Sequence, residues 1–281
     1  MLDIDISRRS FFKTLAATAI GSIPIWATSG DHAPTERAQL DPHRLLLPLR
    51  YGARDATTYW WMTGRRYAAI DQELIPLFNL WVGFAYRRSK LDQHADQIEI
   101  RSRVLYTELE TDELLSRWQN PISGKSVNFS FTDPKTEIHR FDFSKGLERL
   151  RPETIRQKRR DEITAIRFVG GKIFLDESSN VEIFPSDNTR IASRKIHDRY
   201  TWSGPSTISN DPRQQFFPGE VSFMDVTDWS PKLEMGSIPG RAIAHCTGVK
   251  CPSIATFPAT WHQLHQRYRL TSLAFADNSE P

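Results

Sequence analysis

The chain is 281 residues long, and its 37 Lys and Arg against 34 Asp and Glu leave a net charge of only +3. With 39% apolar and 11% aromatic residues it has the composition of a packed globular protein, too weakly basic to announce a nucleic-acid partner. No run after residue 29 is long enough for a transmembrane helix, so no stable membrane anchor is expected.

The N-terminus carries an address. Ser7-Arg8-Arg9-Ser10-Phe11-Phe12-Lys13 precedes a mildly apolar, uncharged stretch at 14–26, which is the pattern of a twin-arginine export signal with Arg8 and Arg9 as its paired guanidinium groups. The stretch is too short to span a bilayer, and Gly21 and Pro24 would interrupt a helix there. Ala27 and Ser29 are small residues two apart, so cleavage after Ser29 is expected. This implies residues 1–29 as signal, one domain over 30–281, the twin-arginine translocase as export partner, and the periplasm as destination.

Short β-rich segments then follow one another. Residues 57–70 read as a hairpin around Gly64-Arg65-Arg66, and 75–88 as a long strand with Phe78, Leu80, Val82 and Phe84 on one face. Residues 97–110 alternate again, with a slip near Arg103 that suggests a bulge. A helical turn or two is expected over 111–118, and Asn120-Pro121-Ile122-Ser123-Gly124 has turn chemistry. Strands are expected near 127–131 and 138–143, and a helix over 147–160 with Pro152 near its start. The dense basic run 156–160 reads as its solvated face. Gly170-Gly171 joins 163–168 to 172–175 as a hairpin. Strands recur at 181–184, 194–202, 220–229 and 241–247, and 260–270 reads as a terminal helix. The expected fold is mainly β: one antiparallel, barrel-like domain with a few short helices.

Several segments together resemble a bacterial and fungal family, domain of unknown function 1838. They are Tyr59-Trp60 with Gly64, Tyr67-Ala68 and Pro76-Leu77-Phe78; then Ser102-Arg103, Tyr106, Thr111, Glu113-Leu114-Leu115 and 118–124; then Trp229, Met235-Gly236, Pro239-Gly240, His245 and Gly248. The Trp-x-Asn-Pro-x-x-Gly element at 118–124 is the most distinctive. The likeness covers roughly residues 45–250. It implies a common fold and frequent export, and it supplies no activity and no catalytic residues. The polar stretch Pro231-Lys232-Leu233-Glu234 departs from the family pattern.

The aromatic strands suggest a barrel that holds a small apolar or aromatic ligand, the alternative being a packed aromatic core. The ligand-binding candidates are Tyr106, Trp118, Asn120, His139, Trp229 and His245. Asn120 offers both a donor and an acceptor, or else caps its own turn. A cofactor-free enzyme using Tyr106, His139 or His245 is the second reading, and an envelope interaction protein the third. Cys246 and Cys251 are compatible with a disulfide closing a hairpin turn, or with two free thiols. His262 and His265 share a helix face, but nothing in the spacing demands a metal, and no cofactor is assigned.

Overall fold

The computed structural model describes residues 41–149, 157–184, 193–207 and 216–275. The expected export signal and cleavage site lie outside them, and the described residues belong to one compact unit over 40–281. In chain order come α1 (Pro42–Leu46), a π-helical turn (Leu47–Tyr51), β1 (Thr57–Ile70), β2 (Glu73–Lys90), β3 (Ala95–Thr107), β4 (Arg117–Gln119) and β5 (Ser126–Asn128). They are followed by β6 (Glu137–Asp142), β7 (Gly146–Arg149), β8 (Gln157–Val169), β9 (Lys172–Ile183), β10 (Arg194–Pro205), β11 (Glu220–Thr227), β12 (Arg241–Cys251) and α2 (Ala259–Arg267).

Ten strands form one antiparallel sheet in the order β7-β6-β3-β2-β1-β12-β11-β10-β9-β8, curled into a nearly closed barrel; β4 and β5 make a separate hairpin. Two devices set its curvature. The register shifts at Arg66/Tyr67 and again at Ile163/Ala165, and bulges of this kind increase local twist. Pro76 sits opposite Tyr67 at the first bulge, where a missing N–H in a central strand is tolerated. The tight turns follow residue chemistry: Gly170 and Gly171 have φ of 56° and 76°, as a two-residue hairpin requires.

Local readings depart from this in five places. No helix forms over 111–118, where Leu114 instead bridges to Thr107 and Arg117 and Trp118 enter β4. Gly64-Arg65-Arg66 is no turn: β1 runs straight through it, and the reversal comes at Asp71-Gln72, where φ is 48° and 69°. β3 keeps an unbroken register past Arg103. The expected helix over 147–160 is replaced, in its described parts, by β7 and β8, so the basic run at 157–160 lies on a strand. Residues 246–251 continue β12 rather than turning. Short-range chemistry at these places resembled a turn or a helix, but cross-strand pairing of long partners prevailed.

Two cores result. The inner one fills both ends of the barrel. At one end α1 and the π-helical turn act as a plug: Leu46, Leu47, Leu49 and Tyr51 are buried against Trp60, Tyr86, Phe141 and Trp202. α1 also touches β8, while His43 meets Phe141 of β6 edge-on at 6.2 Å, so the plug bridges the two sheet edges. At the other end Phe78, Trp118, Val127 and Phe129 pack beneath the β4–β5 hairpin.

The outer core lies on the convex face of β2 and β3, where Trp81, Ala85 and Leu105 are covered by Phe257, Trp261, Leu264 and Leu273. α2 approaches so closely that a Cβ built on Gly83 would stand 2.5 Å from both Trp261 and Leu273. Gly83→Val is expected to lower stability by about 2–3 kcal/mol through overpacking. Urea unfolding followed at the tryptophans measures it, and an unchanged midpoint would contradict this packing.

Candidate functional site

Barrel strands alternate inward and outward, so register identifies what faces the lumen. One transverse row crosses six strands: Arg66 on β1, Ala244 on β12, Asp225 on β11, Asp198 on β10, Ser179 on β9 and Asp161 on β8. The row above it holds Cys246, Phe223, Tyr200, Glu177 and Ile163. On β1 the charged row lies beyond Met62 from the plug, and its Arg66 pairs with Phe78 of the other packed end.

Several residues of these rows are more accessible than the plug end. Trp60, Tyr86 and Trp202 at the plug end are at most 2% exposed, whereas Arg66 and Asp225 retain 16% and 15% of their side-chain surface, and Tyr106, Asp198, Tyr200 and Phe223 are half-buried. On β3, Ser102 and Val104 point inward and are exposed, Val104 at 39%. β6 pairs with β3 only over residues 95–100, and no described strand pairs with 101–105 on that side. Among the described residues the sheet is therefore open beside Ser102 and Val104.

The electrostatics are organised around three guanidinium groups. Arg66 donates to Asp225 Oδ2 at 2.5 Å. Arg159 donates to both oxygens of Asp161 at 2.9 and 2.7 Å. Arg50, from the plug, donates to Glu177 at 2.9 and 2.8 Å and lies within 6 Å of the rings of Tyr51, Tyr86, Tyr200 and Trp202. Trp202 Nε1 also donates to Glu177, at 2.9 Å. The Asp198 carboxyl is pushed up to about 7, first by burial and then by the neighbouring Asp225 carboxylate, with Arg159 and Arg66 opposing. Burial and the Asp198 charge hold the Tyr200 hydroxyl well above its ordinary range. Burial likewise pushes the Cys246 thiol up to about 12.

The candidates from sequence do not converge. Tyr106 borders the chamber and lies within electrostatic reach of Arg66. Its ring packs on Phe78 and Phe129 at 5.2 and 4.6 Å, and Phe78 also meets Trp118 at 5.2 Å, so Trp118 belongs to the floor. Asn120 is buried and caps its own turn, accepting from Ile122 N at 2.9 Å, while its amide donates to Leu233 O at 2.6 Å. That bond ties the β4–β5 hairpin to the loop before β12. Trp229 donates to Ile238 O at 2.8 Å in the same loop. His139 is buried on β6, 3.2 Å from Glu137. His245 is exposed on the outer face opposite Arg65. Arg66, Arg159, Asp161, Ser179, Asp198, Tyr200 and Phe223 were not singled out as a site, because inward polar residues at period two look like solvent-facing ones. Among the described residues no group of three or more His, Cys, Asp or Glu is placed to hold a metal ion.

Cys246 and Cys251 are both free and buried. They lie five apart on one extended strand, about 16 Å at 3.3 Å per residue, and face opposite sides of the sheet, which forbids the disulfide. Both thiols are expected to react with a thiol reagent only after unfolding, and a reducing agent is expected to leave the melting temperature unchanged. Failure to titrate two thiols in denaturant without reductant would show a bridge.

No family model and no curated protein matches the chain. Among solved structures it is similar to a protein of Bacteroides fragilis with a YmcC-like fold, taken to be exported, at 6% identity and a TM-score of 0.21. The match covers 68% of this chain and 94% of that one. A likeness this remote carries no argument about the present chain. None of the described helices is long and apolar enough to cross a membrane.

Proposed function

We propose that this is an exported, periplasmic protein whose barrel midsection holds a small molecule with an apolar or aromatic body. The observation that supports it is the contrast along the lumen: both ends are packed by aromatic side chains, while the middle keeps accessible polar and aromatic surface beside an opening. The signal at Arg8 and Arg9 supports the location. The resemblance to domain of unknown function 1838 is consistent with an exported protein and assigns no activity.

Native mass spectrometry of protein recovered from the periplasm tests this reading. The expected spectrum shows a retained small molecule, which is lost in a Val104→Trp variant that obstructs the opening. A wild-type spectrum at the bare chain mass, identical to the variant's, would remove the proposal.

A cofactor-free enzyme in the same chamber is the second reading, favoured by Asp198, whose carboxyl titrates near neutrality beside Asp225. The reacting group in that case is Asp198 rather than Tyr106, His139 or His245, which the fold keeps apart. Turnover of the retained molecule with a pH profile abolished by Asp198→Asn is its expected signature.

A further inference from the structure

Several hydrogen-bonding atoms that face the chamber have no partner. Arg66, Arg159 and Arg50 are each engaged by Asp225, Asp161 and Glu177. Three groups in the same row are left over. The Asp198 carboxyl has no hydrogen bond to any described residue, although Asp225 lies directly across from it. Asp225 Oδ1 is buried with no partner. Ser179, only 2% exposed and paired in register with both Asp198 and Asp161, has no partner for Oγ. Buried polar atoms of this kind are normally satisfied, so their clustering at one place in a lumen marks where an occupant's polar end belongs.

The character of that occupant follows from charge and shape. It must bring donors, because Asp225 Oδ1 can only accept and an ionised Asp198 only accepts. With Asp198 ionised, the inward carboxylates Asp161, Glu177, Asp198 and Asp225 are matched in number by Arg50, Arg66, Arg159 and Arg194, and the pull on a positive occupant comes from Asp198, the one of the four carboxylates that has no ion pair among the described residues. The rings of Tyr200 and Phe223 stand two register pairs from Asp198 and Asp225 on the same face, centred 4.7 Å apart and inclined by 30°; Arg50 and Trp202 already lie against Tyr200, so Phe223 offers the ring that an organic cation would meet. The acidic groups are not placed to hold a metal ion. We infer that the chamber takes a small organic cation carrying N–H donors, an amine or amidinium on an aromatic or apolar body, with its charged end between Asp198, Asp225 and Ser179. This deepens the binding-protein reading and rests on it.

Titration calorimetry on the folded mature chain separates the two ideas. The probes are 2-phenylethylamine, benzamidine, the neutral isostere 2-phenylethanol, and phenylacetate. The amine is expected to bind at least about tenfold tighter than the alcohol, as charge-assisted bonds are the stronger ones. Asp198→Asn should erase that preference, with circular dichroism confirming the fold. Ser179→Ala, which removes no charge, should lower amine affinity by a smaller factor. The groups facing Asp198 are Asp225 and Arg66 from β11 and β1, Ser179 from β9, and Asp161 and Arg159 from β8, with Tyr200 beside it on its own strand. In that setting amine affinity should rise roughly tenfold from pH 6 to pH 8 as Asp198 ionises. Binding of the alcohol or of phenylacetate without an amine preference, or a preference that survives Asp198→Asn, overturns the cation inference and leaves the chamber as a binding site. Binding by none of the four overturns both.

Discussion

Replacing Arg50 with Met is expected to destabilise the protein by about 3–5 kcal/mol, the loss typical when one member of a buried ion pair is removed. Arg50 and Glu177 retain only 12% and 10% of their side-chain surface, and Glu177 accepts two bonds from Arg50 and one from Trp202. Without the guanidinium, Glu177 is a buried carboxylate with one indole N–H for company. The surrounding rings of Tyr51, Tyr86, Tyr200 and Trp202 also lose the cation they enclose. Arg50→Met combined with Glu177→Gln removes both charges and keeps an acceptor for Trp202. That double variant should recover more than half of the loss. Urea unfolding of the wild type, the two single variants and the double variant closes the cycle. If the single and double variants are equally unstable, the ion pair is not what joins the plug to the barrel.

The second large effect is a stability that rises with pH just above neutrality. Lys250 is buried under the plug, donating to Pro48 O at 2.5 Å and Leu49 O at 3.0 Å, and no carboxylate among the described residues pairs with it. Burial first, and Arg88 second, lower its ammonium from 10.5 to about 7. Below pH 7 both folded and unfolded chains carry the proton, and the folded state bears the full penalty of burying it. Between pH 7 and 10.5 the unfolded chain binds more protons, so stability climbs by about 1.4 kcal/mol per pH unit from this group. Two opposing effects limit the climb. Cys246 and Cys251 resist ionisation in the fold but ionise near pH 9 when unfolded, and the buried Tyr51, Tyr86 and Tyr200 do the same near pH 10. Below pH 7, Asp198 favours lower pH while His265, held down to about 4 by burial, favours higher pH. The clean window is therefore pH 7 to 9. Denaturation midpoints should rise across it in the wild type and stay level in Lys250→Met; an equal slope in both would assign the effect elsewhere.

Much of the barrel is legible from alternation and turn residues. The strand from 75 to 88, the hairpin at Gly170-Gly171 and the terminal helix near 260–270 all follow from local pattern, and the structure places β2, β8–β9 and α2 there. The errors share a cause. Gly64-Arg65-Arg66 carries turn-like residues, yet the long pairing of β1 with both β2 and β12 keeps it extended. The stretch from 147 to 160 carries scattered apolar and basic residues that fit helix and strand equally, and only the partners of β7 and β8 distinguish them. The site was hidden for a related reason. A strand with alternating polar residues ordinarily turns them to water, so the local pattern does not mark Asp198 and Asp225 as lumenal. What places them inside is closure of the sheet, a property no single strand carries. Conversely, the distinctive Trp118-to-Gly124 element drew attention as a ligand contact, whereas Asn120 satisfies its own turn and a neighbouring loop.

The plug has a kinetic consequence. Its polar anchors are far away along the chain: Arg50 reaches 127 positions forward to Glu177, and Lys250 reaches back 202 positions to Pro48. β1, at the centre of the sheet, finds β2 at once but waits for β12, the last of the described strands to be made. During synthesis the first long hairpin must therefore persist with an unpaired edge, and with no lumen yet formed to receive the plug. Folding is committed only when the C-terminal strand arrives, which predicts slow maturation and strong dependence on an intact C-terminus. A chain ending before β12 would lack the central seam of the sheet, not merely its last strand.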